Sequence, residues 1–415
     1  GTDLALLLAW MHVIVEEDLY DHEYVRKYTV GFEQLRQHLR GKTPQWAAEH
    51  TTLDAGTIAE TARHLAGAAP AALVHPGRRA AWYGDDTQRG RAIAILNALL
   101  GSWGRKGGLV MPGQLELAGL KGPKKTGTKK PRADMPRGTR FPFATGALAH
   151  GLRDASIPGT ADYDIKAWLV YGTNLVQALP DTPKTLEAIA HLDFMVAVDV
   201  LPAEIVGWAD VVLPEATYLE RYDDIHNPPW REPYAALRQP VIEPMHQSKP
   251  GWWIAKELAE RMGLEAHFDW PDVETYLQRR LELSGRKLAD FDDTGVVLGD
   301  VVPTTIEEGA EPTFWTPSEK IELYSQQMKD AGLAPLPDFT PHSEPGEESF
   351  RLLFGRSPVH TFGRTTNNRF LGEVTSENEL WVNAQVAQKM GLKAGERVRL
   401  VNQAGVLTDQ SIKVR

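Results

Sequence analysis

Residues 168–213 alternate short apolar runs with helix-forming stretches, and this rhythm restricts the possible folds more than any other feature of the chain. Residues 168–171 read as a strand, 183–190 as a short helix, 194–198 as a strand, 203–208 as a helical turn and 211–213 as a third strand. Strands that are apolar throughout and separated by helices predict a parallel sheet covered on both faces, hence an α/β fold. In such sheets ligands gather outside the carboxyl ends of the strands. The first strand runs into Gly172-Thr173-Asn174, and the second ends at Asp199.

Length bounds the rest. A chain of 415 residues predicts two or three domains. Residues 1–155 and 156–345 read as two α/β segments. Residues 346–415 read as the start of a β-rich domain, with strands expected at 352–354, 380–382 and 398–401. Strand-like alternation returns at 409–415. Nearer the start, the pattern predicts a buried helix from Asp3 to about Glu17, capped by Thr2. Helical spacing continues over 20–39, a short strand is expected at Leu73-Val74, and a helix over 89–100 stops at Gly101. Further helices are expected over 251–262 and 273–283. The Lys-, Arg-, Gly- and Pro-rich stretch 121–140 reads as a surface loop.

The formal net charge of −10 excludes bulk attraction to nucleic acid or anionic membrane. No apolar run reaches the roughly 18 residues a spanning helix needs, and the best candidate, 4–15, is interrupted by His12. With no cysteine in the sequence, disulfides and thiolate metal sites are excluded within this segment. There is no GxGxxG after the first strand, no Walker loop, no HExxH and no GxSxG, which argues against NAD-dependent, phosphoryl-transfer, zinc-protease and serine-hydrolase chemistry.

Several groups could carry chemistry. Gly172 lets backbone amides approach a phosphate or sugar, Thr173 adds a hydroxyl, and Asn174 offers a donor and an acceptor; the plain alternative is a turn. Asp199 could accept two hydrogen bonds from a ribose or a guanine edge, or could cap the turn at Ala203. Thr2 and Asp3 open a helix, which suits an anion or simple capping. Gly77, Arg78 and Arg79 follow the expected strand at Leu73-Val74 and could hold an anion, or be ordinary surface residues. Arg356, His360 and Thr361 lie in a polar stretch that suits a ring rich in heteroatoms, or a surface loop. No metal ligand is expected in this chain, since His360 has no second ligand at useful spacing.

Taken in order, these pieces resemble the molybdopterin-dinucleotide oxidoreductases. The resemblance rests on Gly1-Thr2-Asp3-Leu4-Ala5-Leu6, Asn97-Ala98-Leu99 with Gly104-Arg105 and Gly107-Gly108, and Gly172-Thr173-Asn174. It continues through Pro180-Asp181, Asp199 and Ala209-Asp210-Val211-Val212-Leu213-Pro214. Trp315-Thr316-Pro317-Ser318-Glu319-Lys320-Ile321-Glu322 and the stretch 356–368 complete it. It implies parallel-sheet domains binding a dinucleotide cofactor, followed by the start of a β-barrel domain. It implies a bis(molybdopterin guanine dinucleotide) holding molybdenum or tungsten, with a 4Fe-4S cluster only in a preceding segment. Gly172, Thr173, Asn174 and Asp199 would contact one guanosine arm, and Thr2 and Asp3 the other. Arg356, His360 and Thr361 would approach the pterins, with Gly77 and Arg78 near the metal.

The runs 77–82 and 355–361 look most like the polysulfide and thiosulfate reductase branch. That implies reductive cleavage of an S–S bond, with Arg78 or Arg79 holding a small anionic sulfur substrate and His360 as a proton donor. An iron–sulfur subunit, a membrane anchor and a place outside the cytoplasmic membrane follow from the same resemblance. The alternatives are tetrathionate, arsenate, nitrate or formate chemistry, or a cofactor-free structural relative. In this frame the chain reads as a middle portion of a longer enzyme. One departure is Ala203, which stands where the family often has a hydroxyl beside the position of Glu204.

Overall fold

The computed structural model describes residues 1–77, 86–120, 122, 133–134, 143, 148–346, 349–355, 357–403, 405, 408 and 411–415. The chain forms two compact units, each entered three times. One comprises Gly1–Gly122, Tyr222–Pro240 and Gly263–Gly346; the other comprises Pro123–Arg221, Val241–Met262 and Glu347–Arg415.

The first unit is mainly helical. The helix Asp3–Glu16 buries residues on every side, among them Leu4, Leu7, Leu8, Met11, Ile14 and Val15. It packs against the helices Phe32–Leu39, Pro44–His50, Ala55–Gly67 and Asp86–Leu99. A helix apolar all round must be surrounded in this way. Thr2 does not cap it: its hydroxyl makes no capping bond, and only its carbonyl takes the Ala5 N–H, at 3.0 Å.

The helical spacing of 20–39 is broken in the structure. His22–Tyr28 and Phe32–Leu39 are helices, and Thr29–Val30 between them is a strand parallel to Ile321–Glu322. Gly31 makes the break with φ +87°, and a Cβ there would lie 2.8 Å from the Tyr324 Cβ, so both the turn and the close approach call for glycine. Leu73-Val74 is not a strand. The buried Asn97 side chain takes the place of a ladder, accepting from Val74 N–H at 2.8 Å and donating to Val74 O at 2.9 Å. A two-stranded antiparallel sheet joins Tyr234–Ala236 to Val296–Leu298.

The second unit holds the parallel sheet. Its order is Ala167–Tyr171, Phe194–Asp199, Val211–Pro214, with Trp168 opposite Met195 and Val196 opposite Val211. Trp168, Val170 and Met195 pack with Leu186 and Ile189 of the helix Thr182–Ala190 and with Ile205. Alternation along a strand sends neighbouring side chains to the opposite face. There Leu169 and Tyr171 are 57% and 49% exposed while Val198 is 1% exposed, so among the described residues the second face of the sheet is covered only in part.

Later in the same unit, Glu379–Leu380, Ile412–Val414 and Arg397–Val398 make a three-stranded sheet with Ile412–Val414 in the middle. The described residues do not close a barrel. Residues 352–354 form no ladder, and Leu352, Leu353 and Phe354 are exposed. Most of 121–140 lies outside the described residues.

Candidate functional site

Within the second unit, the neighbouring strands Ala167–Tyr171 and Phe194–Asp199 bring Gly172 and Asp199 to the same end of the sheet. The Gly172 N–H donates to the Val198 carbonyl at 2.9 Å, closing the ladder one residue before Asp199. Gly172 then turns with φ +60°, and a Cβ there would meet nothing within 4 Å. The backbone is therefore open to a close neighbour on that side.

Asn174 is held from one direction only. Its Nδ2 donates to Glu204 Oε2 at 2.5 Å, and Gln177 Nε2 donates to Glu204 Oε1 at 2.5 Å. Its Oδ1 is buried and has no hydrogen-bond partner. Because a carboxylate only accepts, the Glu204 contact fixes Oδ1 as the end of the amide that points away from it. Glu204 opens the turn Glu204–Trp208, which is anchored through Ile205, 1% exposed in the apolar layer under the sheet.

Asp199 does not cap the turn at Ala203. Its Oδ1 accepts the N–H groups of Val200 at 2.7 Å and Leu201 at 3.3 Å. Its other oxygen has no partner among the described residues. Thr173 is exposed.

Two hydrogen-bonded clusters brace this end of the sheet. Arg153, 5% exposed, donates to the carbonyls of Pro180 at 2.5 Å and Asp181 at 3.4 Å. That secures Asp181, which has a left-handed backbone (φ +64°) and caps the helix Thr182–Ala190. Burial raises the pKa of the neighbouring Asp154, but hydrogen bonds from Lys184 and Arg153 outweigh it and hold the carboxyl below its ordinary range. The second cluster is Glu215, whose Oε1 accepts from both the Tyr171 hydroxyl and the Arg221 guanidinium. A Cβ on Gly251 would collide with Tyr171 and Glu215, so the helix Gly251–Arg261 starts directly against them.

The polar stretch near the end of the chain reaches the same neighbourhood. A Cβ on Gly363 would lie 2.9 Å from Gln177 Oε1, so the turn Phe362–Thr365 rests beside the Asn174–Gln177 segment. His360 donates from Nε2 to the Thr375 carbonyl at 2.7 Å, leaving Nδ1 to face the Thr365 hydroxyl at 3.4 Å. Thr361 donates its N–H to that same hydroxyl at 2.8 Å. Both ring nitrogens of His360 are thus engaged in holding the loop. Arg78, Arg79 and Arg356 lie outside the described residues.

The remaining expected residues belong to the first unit. Asp3 pairs with Arg89 at 3.3 Å. Gly77 is exposed with φ +70° and donates its N–H to His75 Nδ1 at 2.9 Å. Among the described residues, no group of three His, Cys, Asp or Glu could hold a metal ion, and no helix is long and apolar enough to cross a membrane.

Gln177 was not expected at the site from the sequence. Its signal is its place three residues after Asn174, on one side of a helical turn. Glu204, doubtful as a ligand residue beside Ala203, instead orients Asn174 from behind.

The donor set fits a nucleotide. A glycine turn open to close approach, a buried carbonyl oxygen lacking a donor and a half-satisfied carboxylate are matched by a base or ribose carrying N–H and O–H groups. Residues 1–261 match the family model described as Molybdopterin oxidoreductase. The chain belongs to the molybdopterin oxidoreductase family. It is 32% identical to the thiosulfate reductase molybdopterin-containing subunit of Salmonella typhimurium, over 98% of this chain and 58% of that protein. It is 26% identical to the arsenate respiratory reductase molybdopterin-containing subunit of Chrysiogenes arsenatis, over 98% of this chain and 60% of that protein. The fold is similar to that of acetylene hydratase from Pelobacter acetylenicus, with TM-score 0.78 at 24% identity, covering 100% of this chain and 61% of that one. The chain therefore spans about 60% of the length of these relatives.

Proposed function

We propose that this chain is the cofactor-cradling part of a molybdenum or tungsten enzyme that reductively cleaves S–S bonds in thiosulfate or polysulfide. The observation that carries the cofactor reading is the buried, partnerless Asn174 Oδ1 beside the open turn at Gly172. The substrate reading is supported by the similarity to the thiosulfate reductase subunit.

In this reading Gly172, Thr173, Asn174 and Asp199 hold one guanosine arm of a bis(molybdopterin guanine dinucleotide), while Thr2 and Asp3 hold the other. When bound, the metal of that cofactor would supply two-electron redox chemistry. The chain's own residues bind and orient. Arg78 or Arg79 holds the anionic sulfur substrate, with Gly77 giving close backbone approach. Arg356, His360 and Thr361 line the pterin side. His360 acts there by holding its loop, because a proton transfer from it would first require its bond to Thr375 to break.

For thiosulfate, two electrons and one proton break the S–S bond and yield hydrosulfide and sulfite. Electrons would arrive through an iron–sulfur subunit, with a membrane anchor on the outer face of the cytoplasmic membrane. Residues 1–155 and 156–345 would serve as the two cofactor-binding segments, and 346–415 as the opening of a β-barrel.

The test is the composition of the full-length native protein. About one molybdenum or tungsten and two guanine nucleotides per chain would support the reading. Neither metal nor guanine nucleotide would leave a cofactor-free structural relative as the account. Substrate follows from assays with thiosulfate, polysulfide, tetrathionate and arsenate. Arg79→Ala should raise KM for the sulfur substrate at least about tenfold, on the order of one charge-assisted contact. Unchanged kinetics would remove Arg79 from the site.

A further inference from the structure

We infer that Glu204 is a specificity-setting positioning residue: it turns the Asn174 amide so that only an acceptor faces the ligand, which selects guanine over adenine at this sheet end. The inference rests on the reading above that the strand ends hold a guanine nucleotide.

An asparagine amide is ambiguous, with a donor at one end and an acceptor at the other. Its neighbours decide which end a ligand meets. Here the neighbour is a carboxylate that accepts from Asn174 Nδ2 at 2.5 Å, so Oδ1 must point away. Gln177 occupies the second carboxylate oxygen at 2.5 Å and keeps Glu204 from swinging to another donor. Ala203 brings no hydroxyl to compete for the carboxylate. The Oδ1, turned away from Glu204, is buried with no protein partner, a state that a ligand donor relieves. Asp199, at the end of the neighbouring strand, offers a second acceptor.

Two acceptors suit the Watson–Crick edge of guanine, which presents N1–H and N2–H₂ donors. The corresponding adenine edge presents a single donor, N6–H₂, beside the N1 lone pair, so it leaves one acceptor unpaired against a lone pair. Neither Glu204 nor Gln177 needs to touch the nucleotide for this discrimination to operate.

The experiment measures Kd for GMP and for AMP by titration calorimetry on full-length protein prepared without cofactor, with circular dichroism to check folding. The natural sequence should prefer GMP by about tenfold or more, the worth of roughly one hydrogen bond. Glu204→Lys, which can only donate, should turn the Asn174 amide around and lower the GMP-to-AMP preference by about tenfold or more. The double variant Asn174→Asp with Glu204→Gln presents an acceptor again, since the introduced amide can donate to the introduced carboxylate, and should keep the GMP preference. If Glu204→Lys weakens both nucleotides by the same factor, Glu204 is merely structural and the inference is overturned. If that variant does not fold, the double variant decides: loss of its GMP preference overturns the inference. Should the natural sequence bind no GMP at all, the guanine-nucleotide reading itself fails.

Discussion

Around the helix Asp3–Glu16, Leu8, Met11 and Ile14 have no exposed surface, and the polar residue in its interior, His12, donates a ring N–H to the Leu39 carbonyl at 2.8 Å. At the ends of the strands Ala167–Tyr171 and Phe194–Asp199 the opposite holds. Asn174 Oδ1 is buried and unpaired, Asp199 uses one oxygen of two, and Gly172 leaves open space beside it. The difference teaches where to look for function in this chain. Around that helix the polar atoms are satisfied internally, because leaving one unpaired costs about 1–3 kcal/mol; elsewhere in the same unit Thr305 Oγ1 is buried without a partner. A sheet end that leaves them unpaired is organised for a molecule that completes them.

The largest effect that would sharpen this contrast is expected in the core. Leu8→Ala removes a side chain with no exposed surface, and should cost about 2–5 kcal/mol in denaturant unfolding. A loss under about 1 kcal/mol would mean that the helix is less tightly surrounded than its burial implies.

Asn174→Ala is expected to behave in the reverse way. It removes the unsatisfied Oδ1 together with the Nδ2 bond to Glu204, two changes of opposite sign, so stability should shift by no more than about 1 kcal/mol. Guanine nucleotide retained by full-length protein should nevertheless fall about tenfold, as for the loss of one buried hydrogen bond. A large loss of stability with nucleotide retained would reverse the contrast.

The smallest effect concerns Glu307 in the helical unit. It accepts from Arg105 Nε at 2.5 Å and from the Lys106 N–H at 3.0 Å. Burial pushes its pKa up, but the bonds from Arg105 and backbone N–H groups outweigh this and hold it at about 2. Its folded pKa thus lies below the ordinary value of about 4.3. The stabilisation it contributes is present above about pH 4.3 and is lost as pH falls toward 2. The carboxylate is 39% exposed, so the contribution should stay below about 1 kcal/mol. Glu307→Gln should flatten acid unfolding curves in that window and leave stability at pH 7 lower by the same small amount. An unchanged pH profile would remove this pair from the stabilising contacts.

The two regions also differ in how far the sequence made them legible. The three parallel strands were readable because each is a short apolar run closed by a turn, and the rule of strand ends pointed directly to Gly172, Asn174 and Asp199. Gln177 was not readable as a site residue, nor was Glu204 as the group that orients Asn174, because their roles depend on a carboxylate reaching across from another turn. Leu73-Val74 looked like a strand because local pattern cannot reveal that a distant Asn97 amide supplies its hydrogen bonds. The break at Gly31 likewise depends on a remote partner, Tyr324, and on strand pairing with Ile321–Glu322. Apolar periodicity reports burial; it carries little about which long-range polar partner a segment will find.

The most direct test of the central claim is a high-resolution structure of the full-length protein with its cofactor bound. The account predicts a guanine nucleotide over the strand ends, with an N–H donor within about 3.2 Å of Asn174 Oδ1 and Glu204 still behind the amide. A nucleotide bound elsewhere, with Asn174 Oδ1 paired only to protein or water, would contradict it.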